Sequence, residues 1–163
     1  MGAGKSAGIK NAVDAINEVE CDTCILLENE AGQKNSIGSD LQDMAEILDL
    51  LAIKNKGFCL DTCHAFAAGY DIRDVSATNE IKNILGFDKI KAIHLNDALY
   101  NVGSHRDRHA NFGMGFIGLN GFRQFFKEKK LLSKPMIMET PDRYDMSPAE
   151  ELRTVKYFLE ECR

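Results

Sequence analysis

Residues 57–73 read GFCLDTCHAFAAGYDIR. The apolar run 58–60 predicts a buried β-strand that ends at Asp61, and His64 follows three residues later. In α/β enzymes the functional side chains stand at the carboxyl ends of the strands, and a carboxylate with an imidazole suits zinc. The pair alone is weak evidence, because a helix-capping aspartate next to a partly exposed histidine would show the same spacing.

Three further predicted strands end in the same way, at an acid or an imidazole. The strands predicted over 23–28, 90–95 and 135–139 carry Glu28, His94 and Glu139, respectively, at or near their ends. With the strand over 57–61, four ligand-type side chains reach one edge of a parallel sheet. They could be buried polar residues that satisfy one another, but carboxylates brought together need a counter-charge. The constellation therefore predicts a metal site.

Helical patterns separate these strands. Ser39 with Gln42, and Ser147 with Glu150, have the spacing of capping boxes at helix starts. Alternating strands and helices predict an α/β fold with a parallel sheet and right-handed crossovers. No composition break divides the chain, so we expect residues 1–163 to form a single domain.

The stretch 97–118 is too long for an ordinary connection in such a fold and is a candidate functional loop. It contains Asp107-Arg108-His109. In extended backbone Asp107 and His109 would face the same way, so they could bind one ion that His64 completes, while Arg108 points elsewhere and can meet an anion. Seen in isolation, the tripeptide fits a solvated polar loop equally well.

Composition narrows the function classes. The formal charge of −5 argues against a generally basic nucleic-acid surface, although bound divalent ions would offset the acidic ligands. No apolar run is long enough for a membrane span, and no signal peptide is visible. We expect a soluble intracellular protein, cytoplasmic and nucleoid-associated or nuclear, whose five cysteines remain thiols.

Several motifs together resemble one known family. They are ENEAGQ at 28–33, LDTCHAFAAGYD at 60–71, HLND at 94–97, DRH at 107–109 and MET at 138–140. In order and spacing they are similar to the endonuclease IV family of apurinic/apyrimidinic (AP) endonucleases, over nearly the whole chain. The resemblance implies a TIM barrel with a cluster of three zinc ions that cleaves DNA on the 5′ side of an abasic site during base excision repair.

The resemblance also implies residue roles. Glu28 would bridge two zinc ions, and Asp61, His94 and Glu139 would complete one of these two sites. The third ion would have His64, Asp107 and His109 as ligands. Glu28 and Glu139 would serve catalysis, Arg108 would contact DNA phosphate, and Gln33 and Asn96 would be polar neighbours.

One departure from the family pattern concerns length. The chain resembles the C-terminal half of a barrel and lacks the half that carries two further histidine ligands and the side chains that open the DNA. We therefore expect a partial TIM barrel of four parallel strands, with two or fewer zinc ions, or manganese, per chain. A partner or self-association would cover the open half-barrel.

Clustered divalent ions suit phosphodiester hydrolysis, in which a metal-bound hydroxide attacks phosphorus. The resemblance selects DNA containing abasic sites as the substrate. Because one ion would lack its histidines, we expect weak or undetectable cleavage by the isolated chain and a large gain when the missing half is added. Two alternatives remain open, an inactive or partner-dependent zinc- or DNA-binding remnant and a metal-dependent sugar isomerase-like barrel.

Overall fold

The chain alternates strands with helices throughout. The computed structural model describes residues 4–34, 36–141 and 146–163. The strands are β1 (Ile25–Glu28), β2 (Lys56–Asp61), β3 (Ile90–His94), β4 (Asp97–Ala98), β5 (His109–Ala110) and β6 (Met136–Ile137). The helices are α1 (Lys5–Asn17), α2 (Leu41–Leu50), α3 (Thr62–Ala68), α4 (Val75–Leu85), α5 (Gly118–Phe125), α6 (Lys129–Leu132) and α7 (Pro148–Glu161).

The main sheet contains four strands in the order β1-β2-β3-β6, and all neighbouring pairs are parallel. Spatial order therefore follows chain order, as in a stretch of a (β/α) barrel. The predicted α/β fold, a partial barrel of four parallel strands with flanking helices, is confirmed. Because the carboxyl ends of parallel strands lie at one edge, this topology brings the candidate ligands together.

One face of the sheet forms the core with the helices. Phe58 and Leu60 of β2 and Ile93 of β3 are essentially inaccessible to solvent and belong to one apolar cluster. The helices contribute Leu41, Met44, Ile47, Leu48, Ile81, Leu85, Phe122 and Phe125. Burial of each such side chain contributes about 1.5–3 kcal/mol, so the sheet edge that carries the site rests on a packed support.

The starts of two helices differ in how well the sequence predicts them. The capping box of Ser147 and Glu150 at α7 is confirmed by reciprocal hydrogen bonds. The capping box expected for Ser39 with Gln42 is wrong, because Asp40 is the N-cap of α2 and its carboxylate accepts from the Gln42 N–H at 2.9 Å. An aspartate one position later caps equally well, so the serine is not needed.

The long loop has secondary structure that the sequence did not predict. β4 and β5 pair as a two-stranded antiparallel ribbon. The strand expected over 135–139 is shorter than predicted, since β6 contains two residues and Glu139 lies beyond its end. All five cysteines are free, as expected. Among the described residues, no helix is both long and apolar enough to cross a membrane.

Candidate metal centre

The four strand ends of the main sheet meet around the imidazole of His94. Its Nδ1 atom lies 2.9 Å from Glu28 Oε1, 3.0 Å from Glu139 Oε2 and 3.9 Å from Asp61 Oδ2. Asp61 and His94 are register partners, which puts them at the same level of the sheet. One ligand atom from each of these four residues lies within 4.8 Å of the others. The four side chains are therefore close enough to surround a single ion.

A second group of ligand-type side chains lies beside the first. The Nε2 atoms of His64 and His109 are 3.4 Å apart, and Asp107 Oδ1 lies 3.3 Å from the former and 3.4 Å from the latter. Ligands of a tetrahedral zinc are separated by about 3.4 Å, given bonds of about 2.1 Å. Asp61 Oδ2 lies 3.8 Å from His109 Nε2, so this buried carboxylate faces both groups.

The ribbon of β4 and β5 orients the second group. The Arg108 carbonyl oxygen accepts hydrogen bonds from the Leu99 N–H at 2.9 Å and from the Cys63 thiol at 3.6 Å. In extended backbone, successive side chains point to opposite sides. Asp107 and His109 therefore face the strand ends, whereas the side chain of Arg108 is exposed.

Backbone carbonyls determine which imidazole nitrogens face the second group. His64 Nδ1 lies 2.8 Å from the Asn29 carbonyl oxygen, and His109 Nδ1 lies 2.9 Å from the Glu139 carbonyl oxygen. A carbonyl oxygen can only accept, so each Nδ1 carries a hydrogen. In neutral rings both Nε2 atoms then present lone pairs to each other, an arrangement that a shared cation stabilises.

The electrostatics of the cluster also favour a cation. Burial raises the pKa of the Asp61 carboxyl, and burial likewise raises the pKa of Glu28. For the His64 imidazole, burial alone would lower the pKa, but Asp61, the Asn29 carbonyl, Asp107 and Glu28 outweigh that effect and raise it. The carboxyl shifts thus come from loss of solvent, and the histidine shift comes from neighbouring acceptors and carboxylates that favour a positive charge. A divalent ion would supply the missing positive charge.

Asp61 combines two functions that the sequence presents as alternatives. Its Oδ1 atom accepts from the His64 N–H at 2.7 Å and so caps α3. Its Oδ2 atom faces the histidines and accepts from the Asn96 amide at 2.7 Å. Asn96 also lies 3.4 Å from Glu139 Oε2 and accepts from the Glu139 N–H at 2.8 Å. The residue predicted as a polar neighbour thus connects the ends of three strands.

Two residues that position the site, Asn29 and Asp97, were not predicted from the sequence. Asn29 is buried and exchanges two hydrogen bonds with the Asp61 backbone, at 2.8 and 3.1 Å, besides holding His64. Asp97 is fully buried and accepts from the backbone N–H groups of Ala98, Gly115, Ile117 and Gly118. Asn29 directly follows Glu28, the candidate ligand at the end of β1, and this position in the sequence could have indicated a role at the site.

Gln33 was also predicted as a polar neighbour, and it lies at the edge of the site. It lines a cavity with Arg108 and Asp107. The other predicted site residues lie at or just after the strand ends, at the start of α3 (His64), or on and just before β5.

Comparison with known proteins gives one consistent family. The family model described as xylose isomerase-like TIM barrel matches residues 2–162. A curated relative from Nitrosopumilus maritimus (strain SCM1), named "Probable endonuclease 4", is 42% identical over 97% of this chain and 60% of its own length. "Apurinic-apyrimidinic endonuclease 1" of Plasmodium falciparum (isolate 3D7) is 43% identical over 83% of this chain and 24% of its own length.

A solved structure of a similar protein has the same fold as this chain. The crystal structure of endonuclease IV from Thermus thermophilus superposes with a TM-score of 0.79 and 30% identity, covering 97% of this chain and 58% of that one. The chain thus spans about three fifths of the length of these endonuclease IV relatives.

Proposed function

Because this chain belongs to the xylose isomerase-like TIM barrel family and matches endonuclease IV relatives over most of its length, we propose that it acts in AP-site cleavage. The reaction is zinc-dependent hydrolysis of the phosphodiester bond on the 5′ side of an abasic nucleotide in DNA. The observation that carries the proposal is the convergence of His64, Asp107 and His109 at 3.3–3.4 Å from one another beside the four strand-end ligands.

The donor set fits zinc better than magnesium. Three imidazoles lie among the seven candidate ligands, and nitrogen donors suit a borderline ion, whereas magnesium prefers oxygen. Two of these imidazoles have their Nδ1 atoms bonded to carbonyls, which is the usual support of a zinc-bound histidine. We propose one ion at His64, Asp107 and His109, and a second at Glu28, Asp61, His94 and Glu139.

Zinc bound at these groups would polarise the phosphate and lower the pKa of a water molecule. The chain's own residues would prepare the site for this chemistry. Asn96 donates to the Asp61 carboxylate and accepts from the Glu139 backbone N–H, so it links the end of β2 to the backbone of Glu139. Glu28 and Glu139 each bring a carboxylate oxygen to within 3.0 Å of His94 Nδ1, so both acids would be at hand where the ion binds. The exposed Arg108 guanidinium would then meet phosphate oxygens.

Two other functions remain candidates. A sugar isomerase-like barrel would use similar strand-end ligands, but the exposed Arg108 beside the ligands favours a phosphate-bearing substrate. A zinc- or DNA-binding role without turnover would use the same residues. Partner binding or self-association that covers the open half-barrel is compatible with either of the DNA-directed functions.

The test uses a duplex with one tetrahydrofuran abasic-site analogue and zinc. The chain is assayed alone and mixed with the part of an endonuclease IV relative that it does not match. We expect weak incision by the chain alone, a large gain in the mixture, and loss of that gain with Glu139→Gln. Glu160→Gln, on the exposed face of α7, is the matched control and leaves the rate unchanged.

Two results would support one of the alternative functions in place of AP-site cleavage. Stoichiometric zinc with no incision in either setting would support the binding function without turnover. Isomerisation of a sugar by the zinc-loaded chain, with no action on DNA, would support the isomerase.

A further inference from the structure

A small polar cavity lies beside the metal centre, between the loop after β1 and the loop that precedes β5. Its volume is about 320 Å³. We call it the loop pocket, and its lining residues are Gln33, Tyr100, His105, Arg106, Asp107 and Arg108. Most of this lining has no part in the metal centre, because only Asp107 is a candidate ligand.

The loop pocket is locally positive in a chain of net charge −5. Arg106 and Arg108 face a single carboxylate, that of Asp107, which the proposed ion would neutralise. Among the residues that the structure describes, neither guanidinium takes part in an ion pair with a side chain. One N–H of Arg108 donates to the Asp107 carbonyl at 2.6 Å, and no second acceptor contacts this guanidinium within residues 4–34, 36–141 and 146–163.

The guanidinium of Arg106 lies over an aromatic ring. Its guanidinium carbon lies 4.7 Å from the centroid of the Tyr100 ring, the geometry of a cation–π contact. The contact orients the planar guanidinium and covers one face of the ring. With one face covered, the Tyr100 ring is a poor stacking surface for a DNA base. The N–H groups at the edge of the Arg106 guanidinium, in contrast, suit an oxyanion such as phosphate.

Hydrogen bonds and close packing hold the backbone around the loop pocket. The N–H groups of Gly103 and His105 donate to the carbonyls of Phe66 and Ala67, at 3.1 and 2.9 Å, at the end of α3. His105 adopts φ of 52°, which is unusual for a residue with a side chain. Its ring packs so tightly on Gly32 that a Cβ atom there would collide with His105 Nδ1. The two loops are therefore packed directly against each other at the end of α3.

We propose that the loop pocket binds a DNA backbone phosphate adjacent to the one that is cleaved, with Arg106 as its main ligand and Tyr100 as the platform that positions Arg106. This inference rests on the proposed function and adds a substrate-binding residue to it. Asp107 belongs to both places, since its carboxylate lies 3.3 Å from His64 Nε2. A phosphate in the pocket therefore neighbours the metal ligands without occupying their site, as a flanking nucleotide requires.

The test measures how DNA binding depends on salt. Affinity of the zinc-loaded chain for a duplex with a tetrahydrofuran analogue is followed by fluorescence anisotropy between about 50 and 200 mM salt. Loss of one phosphate contact makes the negative slope of log affinity against log salt shallower by about 0.9. We expect that loss for Arg106→Gln, little change for Arg106→Lys, and a weaker affinity for Tyr100→Leu than for Tyr100→Phe. Arg153→Gln, on exposed α7, is the matched control.

Zinc content and unfolding midpoint are measured for each variant, because a purely structural role of Arg106 would change them and leave the salt slope intact. An unchanged slope for Arg106→Gln would overturn the proposal. Inorganic phosphate provides a separate measurement, through the ¹⁵N resonance of the Gln33 side-chain amide. If free phosphate shifts that resonance only when Arg106 is present, yet the wild-type chain binds no DNA, the pocket is a small-anion site and both the DNA assignment and the proposed function fail.

Discussion

Replacing Asp97 by asparagine tests how the ribbon that carries His109 is held in place. Each Asp97 oxygen accepts two backbone N–H groups. The Oδ1 atom accepts from Ala98 at 2.7 Å and Ile117 at 2.9 Å, and Oδ2 accepts from Gly115 at 2.9 Å and Gly118 at 3.1 Å. The carboxylate therefore joins the start of β4 to the start of α5 across the long loop.

The magnitude follows from the number of lost acceptors. Asparagine has one acceptor oxygen, so Asp97→Asn retains two of the four hydrogen bonds and turns an NH₂ group toward the other two N–H donors. A buried donor left without a partner costs about 1–3 kcal/mol. Removing a buried charge offsets part of this cost, since burial raises the pKa of Asp97 and so disfavours its ionised form. We expect a net loss of about 2–4 kcal/mol in the free energy of unfolding.

The assay is urea unfolding at constant m-value, with zinc affinity measured on the same preparations. Asp88→Asn is the control, because Asp88 is exposed and its ion pair with Lys130 is screened by solvent and contributes little to stability. Asp97→Asn should also weaken zinc binding, since β4 pairs with the strand that begins at His109. A free energy within about 0.5 kcal/mol of the wild type would refute the reasoning.

Three further predictions concern the ligands and their supports. His109→Ala should remove about one metal ion per chain by elemental analysis, and an unchanged stoichiometry would contradict its assignment. Zinc affinity should fall as the pH is lowered from about 8 to 6, because the pKa of His64 is raised above 6.5 and the protonated ring cannot bind a metal; a constant affinity in that range would show that His64 is not a ligand. Asn29→Ala should lower the free energy of unfolding by about 2–4 kcal/mol, because it leaves the buried N–H and carbonyl of Asp61 unpaired, whereas exposed Asn120→Ala should change it by less than about 0.5 kcal/mol.

The order of strands and their carboxyl-end residues could be predicted from the sequence, because apolar runs that each end at a ligand-type residue are typical of parallel strands in α/β enzymes. β2 illustrates this, since its five buried residues in a row end at Asp61 as expected. Placing Asp107 and His109 together also needed only the alternation of extended backbone.

Other features depend on contacts between residues that are distant in the chain. The acceptance of four backbone N–H groups by Asp97 involves residues up to 21 positions away, so no local pattern could reveal it. The use of Asp40 instead of Ser39 as a helix cap was equally hidden, because both residues cap well and only the entry path of the chain selects between them. The contact of His105 with Gly32 likewise joins loops that are far apart in sequence.

The central claim, that the strand ends hold zinc for chemistry on DNA phosphate, is tested most directly by anomalous scattering at the zinc edge from crystals of the zinc-loaded chain. We predict one peak within about 2.0–2.3 Å of His64 Nε2, His109 Nε2 and an Asp107 oxygen, and a second among Glu28, Asp61, His94 and Glu139. Zinc bound only elsewhere, for example at Cys21 and Cys24, with no peak at the strand ends, would contradict the claim.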